Sequence, residues 1–117
     1  MFAAYVTVTI VTLLASAYAS AADLMQARFV LATMDEVRVP RSWLPPLAVL
    51  KGAGAIGLLL GLLGVRPLGI AAAIGLVLFF TGAVVTHVRT RVFHNIAVPA
   101  AFFALAAASA ALAIAIR

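Results

Sequence analysis

The sequence has no cysteine and very little charge. Only 9% of its 117 residues are charged, whereas 67% are hydrophobic. Soluble globular domains have about 45–50% apolar and about 25% charged residues, so this chain lacks the polar surface needed to remain in water. The composition excludes a soluble enzyme, a disordered tail and a typical nucleic-acid-binding domain. The absence of cysteine excludes disulfides, thiolate nucleophiles and Cys-ligated metal sites.

Four long apolar runs dominate what is present, at about residues 2–22, 47–64, 68–88 and 96–116. Each is close to the roughly 20 residues that a helix needs to cross the hydrocarbon core of a bilayer. The runs show no strand-like alternation, and a sheet in lipid must close into a barrel of at least about eight strands. We therefore predict an all-α fold in which residues 1–117 form a single four-span domain, an integral membrane antiparallel four-helix bundle.

The connections between the runs differ in length. Residues 65–67 form a tight turn, whereas residues 23–46 form a long connection. Apolar residues at helical spacing over Asp23–Met34 predict a helix that either continues the first span or lies in the membrane interface. The rest of the connection is expected to be irregular until Pro45 opens the second span, with Trp43 as an interfacial anchor.

The distribution of Lys and Arg predicts the orientation. Six basic residues fall on one side of a four-span bundle, namely Arg28, Arg38, Arg41, Lys51, Arg89 and Arg91, and two on the other, Arg66 and Arg117. The positive-inside rule then places the connection 23–46 and the link 89–95 in the cytoplasm and both termini outside. We interpret these charges as flanking the lipid bilayer and expect no nucleic-acid partner.

Antiparallel spans bring alternate helix ends to the same face of the bundle, and here that face collects most of the polar side chains. We predict a ligand-binding site there, formed by Asp23, Glu36, Trp43, Lys51, His87, Arg89 and Asn95. For Arg89 the alternatives are a positive-inside anchor and a contact to phosphate or another anion.

Lys51 lies inside the second span and has two interpretations. Its long stem could carry the ammonium group to the headgroups, which would make it a topology signal. It otherwise faces the bundle, on the same stripe as three candidate helix-packing glycines, Gly54, Gly57 and Gly61. A buried Lys51 needs an anionic partner, and Asp23 and Glu36 are the nearest candidates.

A second stripe follows the first span at spacings of three and four residues. It consists of Tyr5, Thr9, Thr12, Ser16, Ala19 and Asp23. The stripe indicates either ordinary packing, with each hydroxyl bonded to its own helix, or a polar lining that leads toward Asp23.

The histidines favour no metal site, because His87 and His94 have no third ligand at a fixed spacing. His87 is either an interfacial residue bonded to a neighbour or a proton donor and acceptor beside Lys51 and the carboxylates. Motifs for nucleotide hydrolysis, zinc proteolysis and serine hydrolysis are absent.

Several short motifs resemble the DoxX-like family of small bacterial four-helix membrane proteins. They are VP before the second span, LKGAGAIGLLLG with Lys51, PLG opening the third span, GAVVTHVR with His87 and Arg89, and NIAVP with Asn95 and Pro99. The resemblance covers about residues 39–105. It implies a four-helix bundle in the bacterial cytoplasmic membrane and an association with membrane redox systems, including quinone-linked sulfur oxidation in related proteins. It supplies no catalytic residues.

Two functions follow as hypotheses, and whether the protein is an enzyme stays open. The first is an accessory subunit of a membrane redox system that binds a hydrophobic ligand, a quinone or a lipid, with no intrinsic cofactor. The second is a structural or assembly subunit of a larger membrane complex, or a homo-oligomer, held together by its small-residue stripes. A transporter or channel ranks below both, because the broken-helix repeats of secondary transporters are not evident.

Overall fold

The computed structural model describes residues 1–116. Its elements are α1 (Phe2–Leu24), α2 (Arg28–Glu36), a 3₁₀ turn (Arg41–Trp43), α3 (Leu44–Leu62), α4 (Arg66–Arg89) and α5 (Ala97–Ala115). This part of the chain contains no strand, and α1, α3, α4 and α5 are long and apolar enough to cross a membrane. The predicted all-α membrane bundle is confirmed. Arg117, which entered the charge count, lies outside the described residues.

The outer surface of the bundle is apolar along all four long helices. Large hydrophobic side chains stand exposed on each of them, for example Leu14, Leu59, Leu78 and Val98. Exposed apolar surface on this scale is unfavourable in water and normal in lipid. The outer side chains are therefore suited to contact the hydrocarbon chains of a bilayer.

The four long helices form a ring in which α1 and α4 each pack against both α3 and α5. The last turns of α1 meet the first turns of α3, where the Ser20 hydroxyl donates a 2.7 Å hydrogen bond to the Ala48 carbonyl. At the opposite end the Arg66 guanidinium, at the start of α4, lies 5.8 Å from the ring centre of Tyr5. The core between the helices is a cluster that includes Leu58, Leu76, Phe80 and Ala106.

Helices α3 and α4 make their closest approach beside the turn that joins them. A Cβ atom added to Gly61 would lie 2.5 Å from the Cα of Gly69, so the two backbones touch. Gly64, in the turn, has a φ of 122°, a conformation that glycine adopts without steric strain. Only residues without side chains permit so tight a hairpin.

Farther from this turn, the residues that face each other on α3 and α4 become larger. The successive pairs are Gly61–Gly69, Gly57–Ala72, Gly54–Leu76 and Lys51–Phe79. Each of the three candidate packing glycines therefore faces α4 of the same chain. The two helices are in direct contact at one end and are separated by bulky side chains at the other.

The polar stripe of α1 faces the other helices. Tyr5, Thr9, Thr12, Ser16 and Asp23 are buried and Ala19 is half-buried. Thr12 bonds the Val8 carbonyl of its own helix, as ordinary packing predicts. Thr9 instead shares a 2.7 Å hydrogen bond with Ser109 of α5, and Ser20, which the predicted stripe omitted, bonds α3. The stripe therefore joins α1 to its neighbours more than to itself.

The predicted helix from Asp23 to Met34 is two helices separated by a turn. Helix α1 ends at Leu24, Gln26 has a φ of 51°, and α2 begins at Arg28. The backbone N–H of Ala27 bonds the Ala22 carbonyl, which closes the turn. No glycine or proline marks this break, so the sequence carries no local signal for it.

The segment expected to be irregular before Pro45 contains a 3₁₀ turn over Arg41–Trp43, and α3 already begins at Leu44. Pro45 and Pro46 occupy the first turn of α3. Backbone N–H groups in the first turn of a helix have no acceptor within the helix, so proline can be accommodated there. The helix therefore begins one residue before Pro45, the residue predicted to open the second span.

Candidate ligand-binding cavity

A cavity of about 750 Å³ lies at the end of the bundle where α3 and α4 are held apart. The end of α1, the start of α3, the end of α4 and the start of α5 contribute to its wall, and α2 covers one side. Most of the lining is apolar, with side chains that include Leu47, Phe80 and Phe102. Such a volume is typical of pockets for small hydrophobic molecules.

A buried ion pair forms part of this wall. The Lys51 Nζ donates a 2.8 Å hydrogen bond to Asp23 Oδ2, and the side chains are 15% and 3% exposed, respectively. The ammonium group also lies 5.5 Å from the ring centre of Phe79, within range of a cation–π attraction. Of the two interpretations of Lys51, the inward one describes its position, with Asp23 as the partner.

His87 presents a hydrogen-bond acceptor that has no partner. Its Nδ1 lies 2.9 Å from the carbonyl oxygen of Ala83. A carbonyl can only accept, so Nδ1 carries the proton, and in the neutral ring Nε2 is then an acceptor. Nε2 is buried, with no hydrogen-bond partner anywhere in residues 1–116. The residue itself is 7% exposed and lines the cavity.

Asn95 presents a second acceptor of the same kind. Its Nδ2 donates a 3.3 Å hydrogen bond to the Thr33 hydroxyl of α2. Its Oδ1 is buried, and none of the described residues is bonded to it. Both Asn95 and Thr33 line the cavity. An unsatisfied buried polar atom costs about 1–3 kcal/mol. A hydrogen bond from a donor to either of these two atoms would remove that cost.

Helix α2 covers the cavity with its apolar face. Met34 is buried, and Val37, at the end of the helix, is buried too. On the outer face, the His94 Nε2 lies 2.6 Å from Glu36 Oε2, and Arg41 bonds Asp35 at 3.0 Å. These exposed contacts join the outer face of α2 to the link after α4 and to the 3₁₀ turn.

The comparisons with known proteins give one match. The model of the DoxX-like family matches residues 7–109. The chain belongs to the DoxX-like family. No curated protein and no solved structure gives a significant match. The resemblance seen over about residues 39–105 therefore extends through most of the first span, and the DoxX-like protein is a small integral membrane protein.

The DoxX-like chain brings most of the predicted ligand-binding residues to one place. Five of the seven line the cavity: Asp23, Trp43, Lys51, His87 and Asn95. Glu36 is bonded to His94 on the outer face of α2, and Arg89 is exposed at the end of α4. Neither lines the cavity. That the seven residues bind a ligand stays a prediction.

Several lining residues were not singled out in the sequence. They are Tyr18, Phe29, Thr33, Phe79, Phe80, Thr86 and Phe102. Aromatic residues on apolar helices carry no pattern that separates a cavity wall from a lipid-facing side. Thr33 was visible as a polar residue in a helical segment, but its role depends on the turn that folds α2 over the bundle.

Two further site types find no structural basis. Among the described residues, no group of three His, Asp or Glu side chains lies close enough to hold a metal ion. Gly52, Gly54 and Gly57 have the spacing of a dinucleotide-binding loop, GxGxxG, but they lie within helix α3. That motif needs a strand–turn–helix context to cradle a pyrophosphate, which a membrane-spanning helix does not provide.

Proposed function

We propose that this DoxX-like protein binds a hydrophobic, quinone-like ligand in its cavity and acts as an accessory subunit of a membrane redox system. The observation that carries the proposal is the cavity itself. It is large and mostly apolar. At its polar end it is lined by two side chains of opposite charge, Asp23 and Lys51, which form an ion pair. Apolar pockets with a few convergent polar groups are the usual form of small-molecule sites.

The redox part of the proposal requires a partner. The chain has no cysteine, so its own side chains offer no thiol for electron transfer. A quinone supplies redox chemistry when it is bound, and the protein contributes binding and orientation. The membrane around the bundle is a source of both hydrophobic ligands and partner proteins.

The proposed location is the bacterial cytoplasmic membrane, with the cavity at the cytoplasmic face and both chain termini outside. The exposed basic residues near the cavity, Arg38, Arg41, Arg89 and Arg91, support this orientation. On the opposite end the described residues include Arg66, whose charge is directed over Tyr5.

Purification in lipid nanodiscs tests the binding proposal. Quinones and lipids extracted from the purified protein are identified and counted by mass spectrometry. We expect a quinone in near-stoichiometric amount, well above its share of the surrounding lipid. The proposal is overturned if the wild-type protein carries quinone only at the level of empty discs prepared from the same membranes.

A matched pair of glycine variants locates the ligand. Gly82 and Gly75 both lie on α4, and a Cβ added at either has no atom within 4 Å. Gly82 lines the cavity and Gly75 does not. We expect Gly82→Leu to lower the bound quinone several-fold, because the new side chain occupies part of the cavity, and Gly75→Leu to leave it unchanged.

The alternative, a structural or assembly subunit, rests on small-residue stripes, among them Gly57 and Gly61 and the Ala-rich last span. Gly57 and Gly61 already pack against Ala72 and Gly69 of the same chain, so they are not free to contact another molecule. In the same purification, a stoichiometric protein companion without any bound quinone would favour that alternative.

A further inference from the structure

Two buried polar atoms in residues that line the cavity have no hydrogen-bond partner among the described residues. The Ala83 carbonyl fixes a proton of His87 on Nδ1, at 2.9 Å, so in the neutral ring Nε2 offers a lone pair. Asn95 uses its amide N–H on Thr33 and leaves Oδ1 as a lone acceptor. The two buried atoms of this wall that have no partner are therefore both acceptors, whereas the Lys51 ammonium keeps N–H groups beyond the one bonded to Asp23.

The wall also carries no net charge from its ionisable pair. The Asp23 carboxylate and the Lys51 ammonium cancel each other at 2.8 Å. A ligand with its own charge would enter an apolar cavity without a free counter-charge, and desolvation would oppose its binding. A neutral ligand meets no such opposition.

From these two features we infer that the ligand is a neutral amphiphile that carries a hydroxyl group, which donates a hydrogen bond to His87 Nε2, with Asn95 Oδ1 as the second acceptor. This inference rests on the proposed function and names the chemistry of its ligand. A quinone carbonyl is an acceptor and would satisfy neither atom, whereas a phenolic hydroxyl of the reduced form, the quinol, satisfies one directly.

The two acceptors are shielded from water, so the hydroxyl reaches them by displacing neighbouring side chains of the wall. Helix α2 lies beside one of the two acceptors. It contacts Asn95 through Thr33, and the hydrogen bond between Glu36 and His94 at its end is exposed.

The test uses Trp43, the single tryptophan of the chain, which lines the cavity. Quenching of its fluorescence is measured in nanodiscs with two brominated probes, 4-bromophenol and its methyl ether, 4-bromoanisole. The probes have nearly the same size and differ in one hydrogen-bond donor. Only the saturable part of the quenching is analysed, because probe dissolved in the lipid quenches in proportion to its concentration.

We expect bromophenol to bind about tenfold more tightly than bromoanisole, since one hydrogen bond to an unsatisfied buried acceptor is worth about one factor of ten. In His87→Phe the ratio should fall to about one. In His94→Phe, the same change outside the cavity lining, the ratio should persist even if the affinity for both probes drops. The anion 4-bromobenzoate should bind more weakly than bromophenol.

Equal affinity of the two probes in the wild-type protein would overturn the donor inference and leave the proposed function standing. The absence of saturable quenching by any probe would contradict the proposed function itself. The wild-type comparison does not depend on the folding of any variant. If His87→Phe folds and keeps the tenfold ratio, His87 is not the acceptor and the inference fails.

Discussion

The two ends of the bundle are built from the same pair of helices and differ in what lies between them. At the end near the α3–α4 turn, Gly61 and Gly69 bring the backbones into contact. At the other end Lys51 faces Phe79, and a cavity of about 750 Å³ opens beside them. The size of the facing side chains increases steadily between the two ends.

This difference shows how a short membrane protein makes room for a cavity. Small residues on both helices let van der Waals contact hold one end closed. At the open end Asp23 and Lys51 are paired with each other, and α2 covers the gap. The closed end brings the two backbones into contact, and the open end leaves the cavity. Each of the following predictions breaks or sharpens this comparison.

The largest effect is expected at the open end, from Lys51→Met. The variant leaves Asp23, which is 3% exposed, as an unpaired buried carboxylate, and breaking a buried pair costs about 3–5 kcal/mol. Asp23→Asn should cost less, because the freed Lys51 side chain can extend toward the headgroups. The free energy of unfolding in mixed micelles with SDS measures both.

The double variant Asp23→Leu with Lys51→Met is the control. It removes both charges from the apolar wall and should recover most of the lost stability. A double variant as unstable as Lys51→Met alone would mean that the pair contributes packing rather than charge compensation.

At the closed end we expect a smaller effect. Gly61→Ala forces a methyl group against the Gly69 backbone, and such overpacking costs about 1–3 kcal/mol. Gly75→Ala, on α4 with open space around it, should be neutral or stabilising. Equal unfolding free energies for the two variants would contradict the proposed backbone contact.

Between the two ends, the hydrogen bond of Thr9 with Ser109 joins α1 to α5 at 2.7 Å. A double-mutant cycle with Thr9→Val and Ser109→Ala should give a coupling of about 0.6 kcal/mol, as is common for hydrogen bonds between membrane helices. Thr12→Val with Ser109→Ala is a matched cycle, since Thr12 bonds its own helix, and it should show no coupling.

The smallest effect is expected on α2. Glu36→Gln weakens the exposed hydrogen bond with His94, and an exposed polar contact of this kind contributes at most about 1 kcal/mol. Stability should therefore hardly change, while amide hydrogen exchange over residues 28–36 should become faster. Unchanged exchange in α2, with faster exchange in α3 or α4, would show that α2 is held by its apolar face alone.

Part of the site could be derived by counting spans. Once the helices are antiparallel, Asp23, Lys51, His87 and Asn95 must lie near one membrane face, and the structure places all four in the cavity wall. Glu36 was grouped with them for the same reason. Glu36 does not line the cavity, because the turn at Gln26 orients α2 so that this side chain faces outward, toward His94.

The sequence by itself determined that the chain is a four-helix membrane protein, because the free energy of transferring apolar residues into lipid is a sum over each segment and needs no tertiary contact. Tertiary structure alone decided the break between α1 and α2, the choice of Asp23 over Glu36 as partner of Lys51, and the free acceptor of His87. These features depend on distances and hydrogen-bond directions between residues far apart in the chain, and such geometry exists only once the helices have packed.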